Sequence, residues 1–179
     1  NRAAVLLVVA AVAVAVLAGV TWGRHDHAAG AALPAVSASP SPSPPARAVS
    51  WRAVISEVEA RRAHALATAN MVQLGAAVAP GTALWRHDQR VVTRLIAARA
   101  QLRGLRPRVR SVHVVSSTTN RVVLRITDAL SSYDVVDNHG VAIAHRAARP
   151  TRAVDVVLIM EGGQWLLHSA TPATTATEP

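Results

Sequence analysis

Six ionisable side chains in the second half of the chain are the candidates for acid–base chemistry in a pocket. They lie in segments with strand-like alternation, and they are Asp128, Asp134, Asp155, His113, His145 and His168. A pocket enzyme needs such a group with a pKa shifted by its surroundings. Asp155 is the most informative, because it interrupts a segment that is otherwise apolar. An unpaired buried carboxylate is costly, so we expect Arg125 or Arg121 to pair with it, as a structural ion pair rather than a catalytic base.

Metal and nucleophile chemistry has little support in the sequence. His25 and His27 flank Asp26 and could ligate a transition metal. No further ligand lies near them, which favours a solvated turn. Cysteine is absent, which excludes a disulfide framework, a thiolate metal site and a lipid-modified cysteine. The chain also lacks a Ser-His-Asp signature and a phosphate-binding loop. We therefore assign no catalytic, cofactor-binding or metal-binding residue.

Arginines recur along a predicted helix at a spacing that puts their side chains on one face. Arg86, Arg90 and Arg94 are four residues apart, and five more arginines follow before position 111. Like charges at this spacing destabilise a helix by about 0.2–0.5 kcal/mol per pair. The stripe could dock anionic lipid headgroups, where each basic residue contributes about 1 kcal/mol, or an acidic protein. The alternative is a solvated face with no partner.

Composition favours that alternative. All 19 basic residues are arginine, and lysine and phenylalanine are both absent. Arginine, alanine, glycine and proline have GC-rich codons, whereas lysine and phenylalanine have AT-rich ones. Part of the net charge of +9 therefore reflects codon usage in a GC-rich genome, such as that of an actinobacterium. Nucleic acid is a poor partner for an exported domain that lacks aromatic residues among its basic ones.

The elements that must position these residues follow an apolar run that begins at Ala3 and ends at Val20, with no charged residue inside it. As a helix rising about 1.5 Å per residue, the run would be roughly 27 Å long, near the ~30 Å of bilayer hydrocarbon. Trp22 and Arg24 follow it and suit the headgroup layer. We predict a single-pass membrane anchor over residues 1–24. A cleaved secretory signal is the alternative, and both place the rest of the chain outside the cytoplasm.

The segment after the anchor is rich in proline, serine and alanine, so residues 25–50 are predicted to be an extended linker. In polyproline geometry, at about 3.1 Å per residue, its stretch 28–50 would reach at most roughly 70 Å. Such a spacer suits a domain held away from a membrane. The folded domain is predicted over residues 51–168, and residues 169–179 are predicted to be a disordered polar tail.

Hydrophobic periodicity changes once within the domain. Apolar residues at helical spacing predict helices over about 51–69, 70–78 and 83–103, with Ser50 and Thr82 as N-caps and Gly104 as the last stop. From Val109 the period becomes two, which predicts strands. Their ranges are 109–116, 121–127, 133–136, 141–144, 153–160 and 165–168. Helices followed by strands indicate an α+β fold, with three helices on one face of a curved antiparallel sheet of five or six strands.

Several short motifs mark this order of elements. They are Trp51-x-x-Val54-Ile55, Arg61-Arg62-Ala63, Ala79-Pro80-Gly81-Thr82-Ala83, Val154-x-Val156-Val157-Leu158 and Gly162-Gly163-x-Trp165. The pattern resembles the NTF2-like (SnoaL-like, ketosteroid-isomerase-like) cone fold. More narrowly, it is similar to exported actinobacterial proteins that place such a domain behind a membrane helix and a Pro-rich spacer. The resemblance covers about two-thirds of the chain.

The resemblance leaves the function open, because enzymes, small-molecule binders and protein-binding domains share this fold. Isomerase-type members use an Asp base and an oxyanion hole of Tyr and a protonated carboxyl group. This chain has one Tyr and no Phe, and none of its residues aligns with that trio. We therefore expect a non-catalytic binding or assembly module of the cell envelope, which could form a homodimer through its sheet. The alternative is a binder or isomerase/cyclase-type enzyme for a small apolar molecule, with Asp155 or Asp128 as its acid or base.

Overall fold

The computed structural model describes residues 49–173, in which helices precede strands as expected for an α+β fold. The helices are α1 (Trp51–Ala67), α2 (Met71–Gly75) and α3 (Ala83–Ala98). The strands are β1 (Gln101–Arg103), β2 (Pro107–Ser117), β3 (Arg121–Leu130), β4 (Tyr133–Val136), β5 (Ala142–Arg146), β6 (Arg149–Glu161) and β7 (Gln164–Pro172).

Each helix is preceded by a polar N-cap residue whose side chain accepts a hydrogen bond from a backbone N–H of the first turn. The Ser50 hydroxyl accepts from the backbone N–H of Ala53 at 3.4 Å, and Thr82 accepts from that of Trp85 at 3.0 Å. Asn70 caps the short α2 in the same way. These contacts satisfy backbone donors that have no partner within the helix. The predicted starts of α1 and α3 are therefore confirmed.

The end of α3 differs from the prediction, because the helix ends at Ala98 and not at Arg103. Arg99 adopts a left-handed conformation with φ of 50°, and the following backbone N–H groups fold back onto the last turn. Leu102 was predicted to lie on the apolar face of this helix. It lies instead in β1, where it is buried opposite Val135 of β4. The Leu102 side chain is therefore buried as predicted, but by strand pairing and not by a longer helix.

The described strands form two antiparallel sheets rather than one sheet of five or six strands. The larger sheet has the order β2-β3-β6-β7, and the smaller one has the order β1-β4-β5. Register shifts interrupt the β2–β3, β3–β6 and β6–β7 pairings, and such bulges bend and twist a sheet. The curvature lets the inner face of the larger sheet wrap around the helices.

The core lies between the helices and the inner face of the larger sheet. On β3 the predicted alternation is confirmed, because Val122, Leu124 and Ile126 are buried there. On α1, Ile55 and Val58 pack toward the same core. Two tryptophans close one side of it: the rings of Trp51 and Trp165 meet edge to face, with centroids 5.1 Å apart.

The last two strands extend further than predicted. β6 begins at Arg149, and β7 ends at Pro172, within the segment predicted to be a disordered tail. Strand β6 was expected to be covered on both faces. It is central in its sheet, but only its inner face is buried, whereas Asp155 and Val157 on the outer face remain partly exposed.

No helix within residues 49–173 combines the length and the apolar character needed to cross a bilayer. The predicted anchor over residues 1–24 lies outside the described residues, as do nearly all of the predicted linker and residues 174–179.

Candidate functional site

A cavity of about 780 Å³ lies between the helices and the curved inner face of the larger sheet. Its walls come from α1, α3 and the ends of β3, β6 and β7, and most of the wall is apolar. The apolar lining residues are Ala63, Leu66, Ala83, Leu84, Val91, Leu102, Leu105, Pro107, Ile126, Leu130, Val154, Val156, Ala170 and Pro172. Side chains do not fill the space between the sheet and these helices, so the cone is open rather than packed solid.

Two neighbouring strands each place a charged side chain on the cavity wall at the same level, and we call this level the charged layer. The inward series on β3 continues from Ile126 to Asp128, and the inward series on β6 continues from Val154 to Arg152. Asp128 and Arg152 lie directly opposite each other in the strand pairing. Because side chains two residues apart in a strand share a face, the alternation that buries the apolar residues also carries these charges to the cavity.

Asp128 is held by two arginines of β6. Both terminal nitrogens of Arg149 donate to its carboxylate, Nη1 to Oδ1 at 3.2 Å and Nη2 to Oδ2 at 2.5 Å. Arg152 approaches more loosely, with its Nε 3.5 Å from Oδ1. One negative charge thus faces two positive charges, which leaves this wall of the cavity with a surplus positive charge.

A second charged cluster joins the two long helices behind the cavity. Arg62 of α1 donates two hydrogen bonds to Asp88 of α3, from Nε at 2.6 Å and from Nη2 at 2.9 Å. Asp88 is the one charged or polar side chain that is fully buried among residues 49–173. Burial alone would lower the pKa of Arg62, but the Asp88 carboxylate and its hydrogen bonds raise that pKa above its ordinary value.

Glu59 lies one turn before Arg62 and lines the cavity. Its only hydrogen bond to another described side chain is a long one, which Arg62 Nη1 donates to Oε2 at 3.5 Å. Burial raises the pKa of Glu59; Arg62 opposes this rise, and the negative charges of Asp128 and Asp88 add to it. A carboxyl group in this position is protonated more readily than one in water, and its protonated form can donate a hydrogen bond.

Two further polar side chains line the same space. Burial lowers the pKa of the His87 imidazole, with Asp88 opposing the shift and Arg62 adding to it. Burial also raises the pKa of the Tyr133 phenol. Both groups therefore favour their neutral forms, which can donate and accept hydrogen bonds with a neutral ligand.

The predicted strand-region candidates are dispersed, and only Asp128 lines the cavity. Asp155 lies on the outer face of β6, where Arg125 donates to it from Nε at 2.7 Å and from Nη2 at 2.8 Å. The predicted pairing with Arg125 is confirmed, but the orientation excludes Asp155 as an acid or base inside the cone. The hydrogen bonds from Arg125 lower the pKa of Asp155, despite some burial. This is the behaviour of a structural ion pair.

The remaining candidates lie on exposed surfaces. Asp134 of β4 accepts a hydrogen bond from Arg103 at 3.3 Å, and its Oδ1 lies 2.9 Å from Nδ1 of His145. The pKa of Asp134 is lowered, mainly by the hydrogen bond with His145. His113 and His168 are exposed. Within residues 49–173, no group of three or more His, Cys, Asp or Glu side chains could hold a metal ion, and the His25–Asp26–His27 cluster lies outside that range.

The arginine stripe of α3 is not uniform. Arg86 lines the cavity and donates to the carbonyl of Gly81 at 2.6 Å. Arg90 is exposed, whereas Arg94 is half-buried. The stripe's docking role for anionic lipid or an acidic partner stays a prediction.

The sequence interpretation missed the buried Asp88, and the signal that could have found it is a charge within an apolar stripe. Asp88 precedes Val91, Val92 and Leu95 at helical spacing, and it is buried with them. A charged residue on the buried face of an amphipathic helix needs a partner there, and Arg62 on the buried side of α1 is that partner.

No protein-family profile and no curated protein sequence matches this chain. Among solved structures, Aln2 from a Streptomyces species is similar over 70% of this chain and 90% of its own, with 15% identity and a TM-score of 0.44. The intermembrane space region of the chloroplast protein ARC6 is similar over 69% and 97%, with 9% identity and a TM-score of 0.46. A Nostoc punctiforme protein with a cystatin-like fold is similar over 71% and 92%, with 17% identity and a TM-score of 0.41. These similarities concern the fold alone.

Proposed function

We propose that the chain is a ligand-binding module whose cone holds a small molecule with an apolar body and at least one polar group. The observation that supports this is the cavity of about 780 Å³, which falls within the ~300–1,000 Å³ usual for small-molecule sites. Its wall is mainly apolar by area, and the polar groups on it include Glu59, Arg86, His87 and Tyr133, together with Asp128 and its two arginines, Arg149 and Arg152. A mainly apolar pocket with a few convergent polar groups is the usual form of a binding site.

The proposal includes the setting expected from the sequence. Residues 1–24 would anchor the chain in the cell membrane, and residues 25–50 would hold the module outside the cytoplasm. Protease added to intact cells should then digest the domain. A domain that stays protected until the cells are lysed would contradict this setting.

Photolabelling tests the binding proposal directly. The full chain, purified in detergent, is incubated with a short alkyl alcohol that carries a diazirine, irradiated, and analysed by peptide mass spectrometry. We expect saturable labelling of peptides from α1, α3 and β6 that line the cavity. Labelling that is spread over the surface and does not saturate would refute the proposal.

A matched pair of variants separates the cavity from the surface. Ala170 of β7 pairs with Val156 and lines the cavity, whereas Ala153 of β6 is exposed on the outer face. Ala170→Trp should fill the space and abolish saturable labelling, and Ala153→Trp should leave it unchanged. Equal labelling of both variants would place the probe outside the cone.

Proton transfer on the bound molecule is a second candidate function, and Glu59 is the observation that favours it. This carboxyl lines the cavity, and burial raises its pKa above its ordinary value, which makes its carboxylate a stronger base. Glu59 would take the role of acid or base that the sequence suggested for Asp155 or Asp128. Asp155 faces outward, and Asp128 is held by two arginines.

Hydrogen exchange tests this second candidate. In D₂O, the wild-type chain should accelerate exchange of the α-hydrogens of cyclohexenone, followed by NMR. Glu59→Gln should remove the acceleration, and Glu57→Gln, which changes an exposed residue on the same helix, should not. Exchange no faster than in buffer alone would leave binding as the function.

A further inference from the structure

The charged layer of the larger sheet, formed by Asp128, Arg149 and Arg152, indicates which chemical group a ligand of the cavity would carry. Within this layer the two arginines of β6 are not equivalent. Arg149 uses both terminal nitrogens on Asp128, and its side chain is only 15% exposed. Arg152 makes no hydrogen bond to another described residue, and its closest approach to Asp128 is 3.5 Å. Its side chain is 39% exposed and lines the cavity.

Arg152 therefore supplies the surplus positive charge of this wall. A guanidinium has five N–H donors and no acceptor, and here they are largely unused by the described part of the chain. Its Nε is buried without a hydrogen bond, so bulk water does not reach that donor either. A buried donor without a partner is costly unless a ligand supplies the acceptor.

The opposite wall does not compensate this charge. Arg62 is committed to Asp88, and among the described residues Glu59 is the only carboxyl group that lines the cavity on that wall. Burial raises the pKa of Glu59, which favours its uncharged form. Arg86 in the first turn of α3 adds a further positive charge to the lining. The cavity is thus electropositive on the side of β6.

We propose that the ligand is an amphipathic monocarboxylic acid, whose carboxylate binds the guanidinium of Arg152 while its apolar body packs against Leu84, Val91 and Val154. This inference rests on the proposed binding function. A planar carboxylate matches the fork of a guanidinium, as Asp128 already does with Arg149. A phosphate monoester carries about −1.5 to −2 charges and would exceed the single surplus charge beside Asp128.

Two photoprobes that differ only in their head group test this inference. An alkyl diazirine with a terminal carboxylate is compared with the alkyl diazirine alcohol of the same length, on the full chain in detergent at pH 7.5. A charge-assisted hydrogen bond should lower the half-saturation concentration of the acid about 10-fold or more relative to the alcohol. Equal half-saturation of the two probes in the wild-type chain would overturn the inference.

Variants assign the preference to Arg152. The acid-to-alcohol preference should fall close to one in Arg152→Gln and should persist in Arg121→Gln, which changes an exposed arginine of β3. Arg152→Lys retains the charge without the fork, so it should keep part of the preference. A preference that survives in Arg152→Gln would also overturn the inference.

The two proposals fail differently. If the alcohol labels the cavity saturably and the acid shows no advantage, the binding function stands and the acidic ligand is refuted. If neither probe labels the cavity saturably, the binding function itself is refuted.

Discussion

Breaking the buried Arg62–Asp88 pair should cost far more stability than breaking the Arg125–Asp155 pair of the same geometry. Both are two-point arginine–aspartate contacts, with donor–acceptor distances of 2.6 and 2.9 Å in the first and 2.7 and 2.8 Å in the second. They differ in burial: the side chains of Arg62 and Asp88 are 20% and 1% exposed, and those of Arg125 and Asp155 are 49% and 28% exposed. The comparison therefore isolates the effect of desolvation.

Asp88→Asn should lower the free energy of unfolding by about 3 kcal/mol. Removing one partner of a buried pair costs about 3–5 kcal/mol, because the other charge remains buried and unpaired. The lower end is expected here, because Glu59 lies 3.5 Å from Arg62 and can take over part of the pairing. Asp155→Asn should cost much less, because water screens a pair on the outer face of the sheet.

Equilibrium unfolding in urea, followed by tryptophan fluorescence, measures both changes. The contact between Trp51 and Trp165 reports directly on the packing of α1 against β7. The double variant Arg62→Met, Asp88→Leu should recover stability relative to Asp88→Asn, because no charge is then left buried. Equal losses for Asp88→Asn and Asp155→Asn would refute the reasoning that burial decides the contribution.

Three further predictions concern single side chains. The folded state raises the pKa of Glu59, so its contribution to stability is present at low pH and is lost as the pH rises through the folded-state pKa. Glu59→Gln should therefore reduce the fall in unfolding free energy between pH 4.5 and pH 8, measured by urea titration at each pH; an unchanged pH profile would contradict this. Arg99→Gly should raise the unfolding free energy by about 0.5–1 kcal/mol, because φ at this position is 50°, whereas Arg90→Gly within the same helix should lower it by about 1 kcal/mol. Equal effects of these two glycine substitutions would contradict the conformational argument. If the chain forms a dimer through the outer face of the larger sheet, Val157→Lys should convert it to a monomer in light scattering, and an unchanged mass would exclude that face.

Local patterns predicted most of the fold. The apolar alternation on β3, the caps Ser50 and Thr82 and the turn before Trp165 are decided by neighbouring residues, and each is confirmed. The division into two sheets and the early end of α3 depend on distant pairing. The position of Leu102 in the sequence fits the apolar face of a helix as well as it fits a buried strand. Its pairing with β4, which lies far along the chain, decides for the strand.

The candidate site was harder to predict than the fold for the same reason. Asp155 attracted attention because it interrupts an apolar segment, but the strand alternates and Asp155 falls on the outer face. Asp128 was among the candidates from the start, but Arg152 was not, although it is the next inward position of β6 before Val154. Their proximity is fixed by strand register, which sequence periodicity alone does not provide.

The charges around the cavity are better explained by function than by stability. Seven of them lie in or directly behind its wall, and they are Glu59, Arg62, Arg86, Asp88, Asp128, Arg149 and Arg152. Replacing buried ion pairs by apolar residues of similar volume is often neutral or stabilising by about 1–4 kcal/mol, so a core selected for stability alone has no need of them. The charges are also unevenly satisfied: Arg62 and Arg149 are fully engaged, whereas Glu59 and Arg152 face the open space with contacts no shorter than 3.5 Å to any described charged partner. A structural network would be closed on itself. The proposed ligand would meet the acid and the guanidinium that this network leaves available at the wall of a mainly apolar cavity.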